Sequence, residues 1–186
     1  MSITTPLFES ARLRLAPPDP EKDAETESRW THEPEYHRLI SVEPMRPLSP
    51  GQIKKKYEEA EKEPPRPNRF AFTLRLRADD RFLGFARLEH VEWNNGNGTL
   101  ALGLGAPTDW RQGYGTEALQ LLLRYAFEEL NLHRLTAQVF EYNLGAQRLF
   151  TNAGFQLEAR QRQALFRDGR RCDKLVYGLL REDWKK

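Results

Sequence analysis

Alternating and helical patterns of hydrophobic residues divide the first half of this 186-residue chain into strands and helices. Strand-like alternation occurs at residues 12–15 and again at 70–77 and 82–88, where an acidic turn between the last two segments indicates a hairpin. Between the first strand and the hairpin, residues 19–30 and 49–63 are rich in Glu, Lys and Ala. This part therefore predicts a strand, two helices and a hairpin.

The second half begins with a strand at residues 100–105 in which Gly103 and Gly105 stand at alternate positions. Glycine weakens a strand, so these positions indicate a bulge or the close approach of a ligand or another backbone. A long apolar stripe ending at Leu130 then predicts the main helix. It is followed by a strand at 135–140, a helix at 144–152 and two strands flanking a turn at 168–169. The order predicts an α/β fold with a mixed, largely antiparallel sheet of six to seven strands, flanked by about four helices, in a single domain over residues 1–186.

Charge is nearly balanced, with 29 Lys and Arg against 27 Asp and Glu and a net charge of +2. A nucleic-acid-binding protein usually has a stronger basic excess, so no nucleic acid is expected among the partners. Arginine does cluster locally, at Arg66, Arg69, Arg75, Arg77 and Arg81 and again at Arg160, Arg162, Arg167, Arg170 and Arg171. We interpret these clusters as solvated strand faces and hairpin tips.

The chain has one cysteine, Cys172, and four scattered histidines, so it predicts neither an internal disulfide nor a zinc site. We expect no bound metal. The first residues lack the basic and apolar regions of a secretory signal, and no apolar run reaches 18 residues. These features favour a soluble, cytoplasmic protein without a membrane partner.

The segment 110–116, WRQGYGT, lies between the glycine-containing strand and the main helix. Its glycines allow backbone N–H groups to point inward at the positive end of that helix, an arrangement that binds anions. No GK[ST] sequence follows, and the spacing of a dinucleotide fingerprint is missing. A lone G-x-G is weak evidence, and an ordinary structural turn is the alternative interpretation.

This segment resembles the Q/R-x-x-G-x-G/A pyrophosphate loop of the GNAT N-acetyltransferase superfamily. Three further segments agree with the resemblance. Residues 143–155, NLGAQRLFTNAGF, are similar to the family's N-x-x-A-x-x-x-Y-x-x-x-G-F segment. Residues 11–24 and 166–184 resemble the RimJ/RimL branch, which contains ribosomal-protein N-terminal acetyltransferases and their relatives. The resemblance covers nearly the whole chain in the correct order and implies a GNAT-type fold.

It also implies that acetyl-CoA is the co-substrate and assigns residues to it. The backbone of Leu102, Gly103 and Leu104 would face the pantetheine arm, and the amides of Gln112, Gly113, Tyr114, Gly115 and Thr116 would hold the pyrophosphate. Trp110 occupies the family's usual Q/R position, and Arg111 adds a cation near the phosphates. Asn143 would bind the cofactor from the start of a helix, and a purely structural N-cap is the equal alternative.

Two positions depart from the family pattern. Thr99 stands where a general base Glu is frequent, and Phe150 stands where a tyrosine acid is frequent. The nearest candidates for proton transfer are Glu89, His90 and Glu92, with ordinary solvated charges at a strand end as the alternative interpretation. Regular strand alternation would put Glu89 on one face with Val91 and His90 on the other with Glu92. A second option is direct attack by a neutral amine, assisted by water, with the N–H of Leu104 or its neighbour as the oxyanion donor.

The sequence thus predicts an N-acetyltransferase that acts on a primary amine. The RimJ/RimL branch suggests a protein or peptide α-amino group, while other relatives use small amines or polyamines. The acceptor site is expected around the two amino-terminal helices and the loop 32–50, with Trp30, Tyr36 and Arg46 as candidate wall residues; Trp30 and Tyr36 are equally compatible with the core. A non-catalytic acyl-CoA-binding module and, more remotely, a nucleotide-binding protein are the alternatives. A monomer or a homodimer is expected.

Overall fold

The computed structural model describes residues 6–64 and 66–184. In the order of the chain, the elements are β1 (Leu13–Ala16), α1 (Pro20–Thr31), α2 (Pro34–Ile40), α3 (Pro50–Lys62), β2 (Phe70–Leu76), β3 (Phe82–Glu92), β4 (Asn97–Leu104), α4 (Tyr114–Arg124), β5 (Arg134–Phe140), α5 (Leu144–Asn152), β6 (Gln156–Arg167) and β7 (Arg170–Leu180). A π-helical turn, Tyr125–Glu129, extends α4, and 3-10 turns occur at Pro107–Asp109 and Arg181–Asp183.

The strands form one seven-stranded sheet in the order β1-β2-β3-β4-β5-β7-β6. Every neighbouring pair is antiparallel except β4 and β5, which run parallel and are connected through α4. This architecture confirms the predicted mixed, largely antiparallel α/β sheet.

The two faces of the sheet differ in what covers them. Ala86 and Leu88 of β3 are completely buried, in one hydrophobic core with the apolar stripe of α4. The alternate positions, Phe85 and Arg87, point to the other face and line a cleft bounded by α1, α2 and α3. The fold therefore has a solid core on one face and an open cleft on the other.

The amino-terminal segment contains three helices where the sequence predicted two. The additional helix, α2, has only seven residues, and its sequence PEYHRLI carries little apolar periodicity. Contacts made by the folded protein hold it. Tyr36 packs in an aromatic cluster, Tyr142 Oη donates to the Arg38 carbonyl (2.8 Å), and Asn143 Nδ2 donates to the Leu39 carbonyl (3.3 Å). Tertiary contacts outweigh weak local preference here.

The interpretation of the first arginine cluster as solvated is wrong for Arg75, which is buried. Its guanidinium bonds to the fully buried carboxylate of Asp23 at 2.5 Å and connects β2 to α1. Arg81 makes two bonds, of 2.8 and 2.9 Å, to the buried carboxylate of Asp109. Buried charges need such partners because desolvation is costly. The pair of Arg75 and Asp23 joins β2 and α1, two elements that border the cleft.

Within the described residues, no helix is both long enough and apolar enough to cross a membrane. The same residues contain no group of three or more His, Cys, Asp or Glu side chains arranged to hold a metal ion.

Candidate functional site

A gap opens in the sheet between β4 and β5. The two strands are paired from Asn97 with Arg134 to Leu100 with Ala137, and beyond that point their pairing stops. β4 nevertheless continues to Leu104, and β5 continues to Phe140 while still paired with β7. The strands therefore separate and leave an opening between the last four residues of β4 and the end of β5.

Backbone hydrogen-bonding groups of β4 face this opening. Gly105 N donates to the Leu83 carbonyl at 2.9 Å, so antiparallel alternation makes Phe85 and Gly103 the next hydrogen-bonded pair. The N–H and C=O groups of Leu102 and Leu104 consequently point away from β3, toward the gap. Trp110 Nε1 donates to the Leu104 carbonyl at 3.0 Å, whereas the two N–H groups are directed into the opening.

Gly103, near the end of β4, and Gly105, just after it, lie under aromatic rings on the cleft face. A Cβ on Gly103 would come within 2.6 Å of the Phe85 ring, and a Cβ on Gly105 would overlap the indole of Trp30. The expected close approach is therefore present, but the neighbours are side chains. Trp110 packs against the same cluster of Trp30, Tyr36 and Phe82.

The loop after β4 delivers a helix amino terminus to the same end of the sheet. Arg111 and Gly113 have positive φ angles of +61° and +83°, and α4 begins at Tyr114 with no side chain among the described residues capping it. The first N–H groups of a helix have no intrahelical partner and carry the positive end of its dipole. The backbone of Gly113, Tyr114, Gly115 and Thr116 is thus suited to an anion.

Arg12 supports this loop, although sequence analysis did not find it. Its Nε lies 2.7 Å from Glu117 Oε2 in the first turn of α4, and one terminal nitrogen lies 3.1 Å from the Gln112 carbonyl. The guanidinium also covers the Tyr114 ring at 4.7 Å from its centroid. The pairing joins residues 105 positions apart, so no local pattern announces it.

Asn143 is the N-cap residue of α5, as the structural alternative predicted. Its Oδ1 accepts from Ala146 N at 3.0 Å, and its Nδ2 reaches α2 as described above. The cap alternative is therefore confirmed, while a contact with a cofactor stays a prediction. Phe150 is buried against Phe155 and Tyr177, so its ring serves the core.

The expected faces of the β3 end are wrong because a β-bulge interrupts the alternation. The register shifts between Glu89 and Glu92, and His90 takes a φ of +52°. The extra residue places Val91 in the core and leaves His90 exposed to solvent. Glu89 lies on the cleft face, directly across from Thr99, in an ion pair with Arg69 at 3.1 Å.

The cleft above β2 and β3 has a volume of about 850 Å³. Trp30 and Tyr36 line it and are also buried in the aromatic cluster, so both interpretations of these residues apply, and Arg46 lies at its exposed rim. Glu27 accepts a hydrogen bond from Tyr57 inside the cleft. Burial, reinforced by the Glu27 carboxylate, raises the pKa values of Tyr36 and Tyr57, and both phenols therefore keep their protons at neutral pH.

Comparison with known proteins identifies the family of the chain. Residues 12–156 match the family described as "Acetyltransferase (GNAT) domain". The chain belongs to the GNAT acetyltransferase family. The match includes β1, the cleft helices, the β4–β5 gap and the loop before α4, but not the β6–β7 hairpin.

Curated relatives and a solved structure agree with the assignment to the GNAT family. The uncharacterized N-acetyltransferase p20 of Bacillus licheniformis is 28% identical over 61% of this chain and 63% of its own length. The uncharacterized N-acetyltransferase YoaA of Bacillus subtilis is 35% identical over 40% of this chain and 42% of its own. The chain thus spans less than two-thirds of these relatives. Spermidine N-acetyltransferase from Vibrio cholerae, solved with CoA and spermine, has a TM-score of 0.79 at 18% identity over 94% of this chain and 98% of its own, which shows a shared fold.

Proposed function

We propose that the protein transfers the acetyl group of acetyl-CoA to a primary amine. The observation that carries the proposal is the continuity of the β4–β5 gap with the uncapped amino terminus of α4. An extended pantetheine arm can add to the free edge of β4 through Leu102 and Leu104, and a diphosphate can receive the N–H groups from Gly113 onward. The relative from Vibrio cholerae, which shares this fold, was solved with CoA.

In this proposal the backbone of β4 supports the chemical step. The amine nitrogen attacks the thioester carbonyl, the new C–N bond forms, the C–S bond breaks, and the sulfur takes up a proton. The N–H of Leu104 points into the gap, where it can donate to the oxygen that becomes negative during attack. The amine proton leaves to water, because Thr99 and Phe150 supply neither a carboxylate nor a phenol.

Glu89 and His90 differ in what they can contribute. His90 is exposed to solvent on the bulge, with no partner among the described residues to orient it. Glu89 faces the cleft but lies four strand positions from the level of Gly103, a span of about 14 Å. Glu89 therefore acts on the reacting amine only through intervening water. Burial raises the pKa of Tyr36 further above that of a thiol, so its hydroxyl is a poor proton donor and the leaving sulfur takes its proton from water.

The acceptor amine would enter from the cleft between α1, α3 and the sheet. A protein or peptide amino terminus, as in the RimJ/RimL branch, and a small amine are the two acceptor classes to compare. Assignment to that branch, a cytoplasmic location and a monomeric or homodimeric state stay predictions.

The direct test is a release assay for free CoA thiol with a panel of amines and amino-terminal peptides. The proposal expects acetyl-CoA to raise the melting temperature and at least one amine to accelerate thiol release. Stabilisation by acetyl-CoA without turnover on any amine would favour the non-catalytic acyl-CoA-binding module. Equal stabilisation by ATP or NAD would contradict the assignment of the loop to CoA.

A further inference from the structure

The floor of the cleft is built from rows of side chains across β2, β3 and β4. The middle row consists of Ala71, Arg87 and Ala101, which are direct cross-strand partners. Because directly opposite residues share a face, Arg87 stands between two methyl side chains on the cleft side. The small neighbours leave open space beside its guanidinium.

Arg87 differs in its partners from three other cations that line the cleft or its floor. Arg69 pairs with Glu89 at 3.1 Å, Lys56 with Glu27 at 3.6 Å, and Arg66 with Glu63 at 2.6 Å. The half-buried guanidinium of Arg87 covers the Phe85 ring at 4.3 Å from the centroid. Over residues 6–64 and 66–184, the Arg87 side chain has neither a carboxylate partner nor a hydrogen bond.

The carboxylates of the cleft either have partners already or lie at its exposed rim. Glu27 receives the Tyr57 hydroxyl and Lys56, Glu63 is paired, and Glu43 lies on the exposed rim. A polycation bound over the floor would bring like charge to Arg87 without a free carboxylate beside it, which is unfavourable. The floor therefore favours an acceptor with a negative group.

Arg87 is also close to the proposed reaction centre. Its partner Ala101 is two residues along β4 from Gly103, a span of about 7 Å. The guanidinium leans toward Phe85, whose ring lies against Gly103. An anionic group held by Arg87 would leave an amine of the same molecule within reach of the β4–β5 gap.

We propose that Arg87 binds a carboxylate of the acceptor, and that the acceptor is a primary amine with a carboxylate within about 7 Å. The substrate class follows from the position of Arg87 on the cleft floor, where its planar guanidinium has no ion pair among the described residues and can make two parallel hydrogen bonds. Arg46, which also lacks an ion pair among these residues, lies on the exposed rim. This inference rests on the proposed acetyl transfer. A free amino acid and a peptide whose second residue is acidic both offer this chemistry.

The test compares acceptors that differ in this charge, with each kcat/KM divided by the fraction of amine that is neutral at the assay pH, because the carboxylate also raises the pKa of the α-amine. L-serine is compared with L-serinamide, the peptide Ser-Asp-Gly-amide with Ser-Asn-Gly-amide, and spermidine serves as the polycation. The proposal expects the carboxylate member of at least one pair to have a kcat/KM about 10- to 100-fold higher. Preference in the serine pair indicates a free amino acid, and preference in the peptide pair indicates an acidic amino terminus.

Arg87→Gln should remove that preference by lowering kcat/KM for the carboxylate member about 10- to 100-fold while the amide member changes less than about three-fold. The matched control is Arg29→Gln, which removes the same charge from an exposed position of α1 outside the cleft. Acetyl-CoA stabilisation and melting temperature, measured for both variants, separate acceptor recognition from folding and cofactor binding.

An NMR titration of the Arg87 Nε–Hε signal with the same compounds, in the presence of CoA, tests the site without turnover. Carboxylate-dependent shifts that vanish in Arg87→Gln support the site even if no acceptor is acetylated, in which case only the proposed activity fails. Equal kcat/KM within both pairs, a preference that persists in Arg87→Gln, or spermidine as the best acceptor would overturn the proposal.

Discussion

The two halves of the candidate site, the β4–β5 gap with the start of α4 and the cleft, present different chemical groups. The β4–β5 gap and the start of α4 present main-chain N–H groups, with Gly113 allowing the turn that delivers them. The cleft between α1, α3 and the sheet instead presents side chains, in aromatic contacts and ion pairs such as Lys56 with Glu27. Backbone recognition depends on strand pairing and glycine positions and tolerates many side chains. Recognition by side chains changes with single substitutions, so in the proposed function the cleft is the half that would set acceptor choice.

The largest expected effect concerns the backbone half. Gly113→Asp would force a side chain into a left-handed conformation, 3.1 Å from Arg12, and would add negative charge where diphosphate is proposed to bind. Acetyl-CoA at 100 times its Kd should raise the melting temperature of the parent by about 5–10 °C. The variant should show no such rise in a thermal shift assay.

Gly169→Asp is the matched control, because Gly169 also has positive φ (+74°), at the β6–β7 turn with open space around it. It should keep the acetyl-CoA stabilisation of the parent. A folded Gly113→Asp protein that is stabilised as much as this control would remove the loop from the cofactor site.

Substitutions in the cleft should change the stability of the fold as well as the kinetics. Trp30 is 5% exposed and contacts Tyr36, Phe82 and the backbone at Gly105. We expect Trp30→Ala to lower the free energy of unfolding by about 3–5 kcal/mol in denaturant titrations. Trp93→Ala, at a site 49% exposed, is the control and should cost much less. A Trp30 variant as stable as the parent would show that the aromatic cluster does not hold the cleft together.

A third change addresses the proposed oxyanion donor. Leu104→Pro removes an N–H that points away from β3, so the β3–β4 ladder keeps its hydrogen bonds, whereas Leu104→Ala retains the donor. If the donor stabilises the transition state, the proline variant should lose about 10²- to 10³-fold in kcat relative to the alanine variant. Equal kcat values for the two folded variants would exclude Leu104 from this role.

The smallest effect is an acid-dependent one at the base of the loop. Burial opposes ionisation of Glu117, but hydrogen bonds from Ser10 and Arg12 outweigh it and hold its pKa below the ordinary value of 4.5. The folded carboxylate is therefore favoured above the unfolded pKa, and this stabilisation is lost as pH falls through the folded pKa. Glu117→Gln should lower the free energy of unfolding at pH 7 by about 1–3 kcal/mol and flatten its decline below pH of about 4.5.

Glu61→Gln, at an exposed position of α3, should reproduce the parent curve. An unchanged acid limb in Glu117→Gln would show that the carboxylate does not contribute to the pH dependence of stability.

The same contrast explains what the sequence could predict. The order of strands, the main helix and the loop at 110–116 follow from alternation, an apolar stripe and glycine spacing, all of which are local signals. The bulge at His90 could not be predicted from the sequence. One inserted residue changes which side chains face the core, but it leaves the composition of the strand unchanged. The pair of Arg12 and Glu117 is equally hidden, since it forms only when distant segments meet.

Arg87 did leave a signal that sequence analysis passed over. It is a charged residue within an otherwise apolar strand segment. Regular alternation places its side chain on the face of the strand opposite to that of Ala86 and Leu88. The sequence could not predict which charged side chains form ion pairs. The pairing depends on how α1 and α3 position Glu27, Lys56 and Tyr57 over the sheet.

The central claim is that backbone groups of β4 and α4 bind acetyl-CoA while the cleft is left to the acceptor. Amide chemical shifts, followed by NMR during an acetyl-CoA titration, test it most directly. The account predicts the largest changes at the N–H groups of Leu102, Leu104 and residues 113–116, with much smaller changes at Lys56 and Ala71 in the cleft. Changes concentrated in the cleft, or none along β4 and the start of α4 at saturating acetyl-CoA, would contradict it.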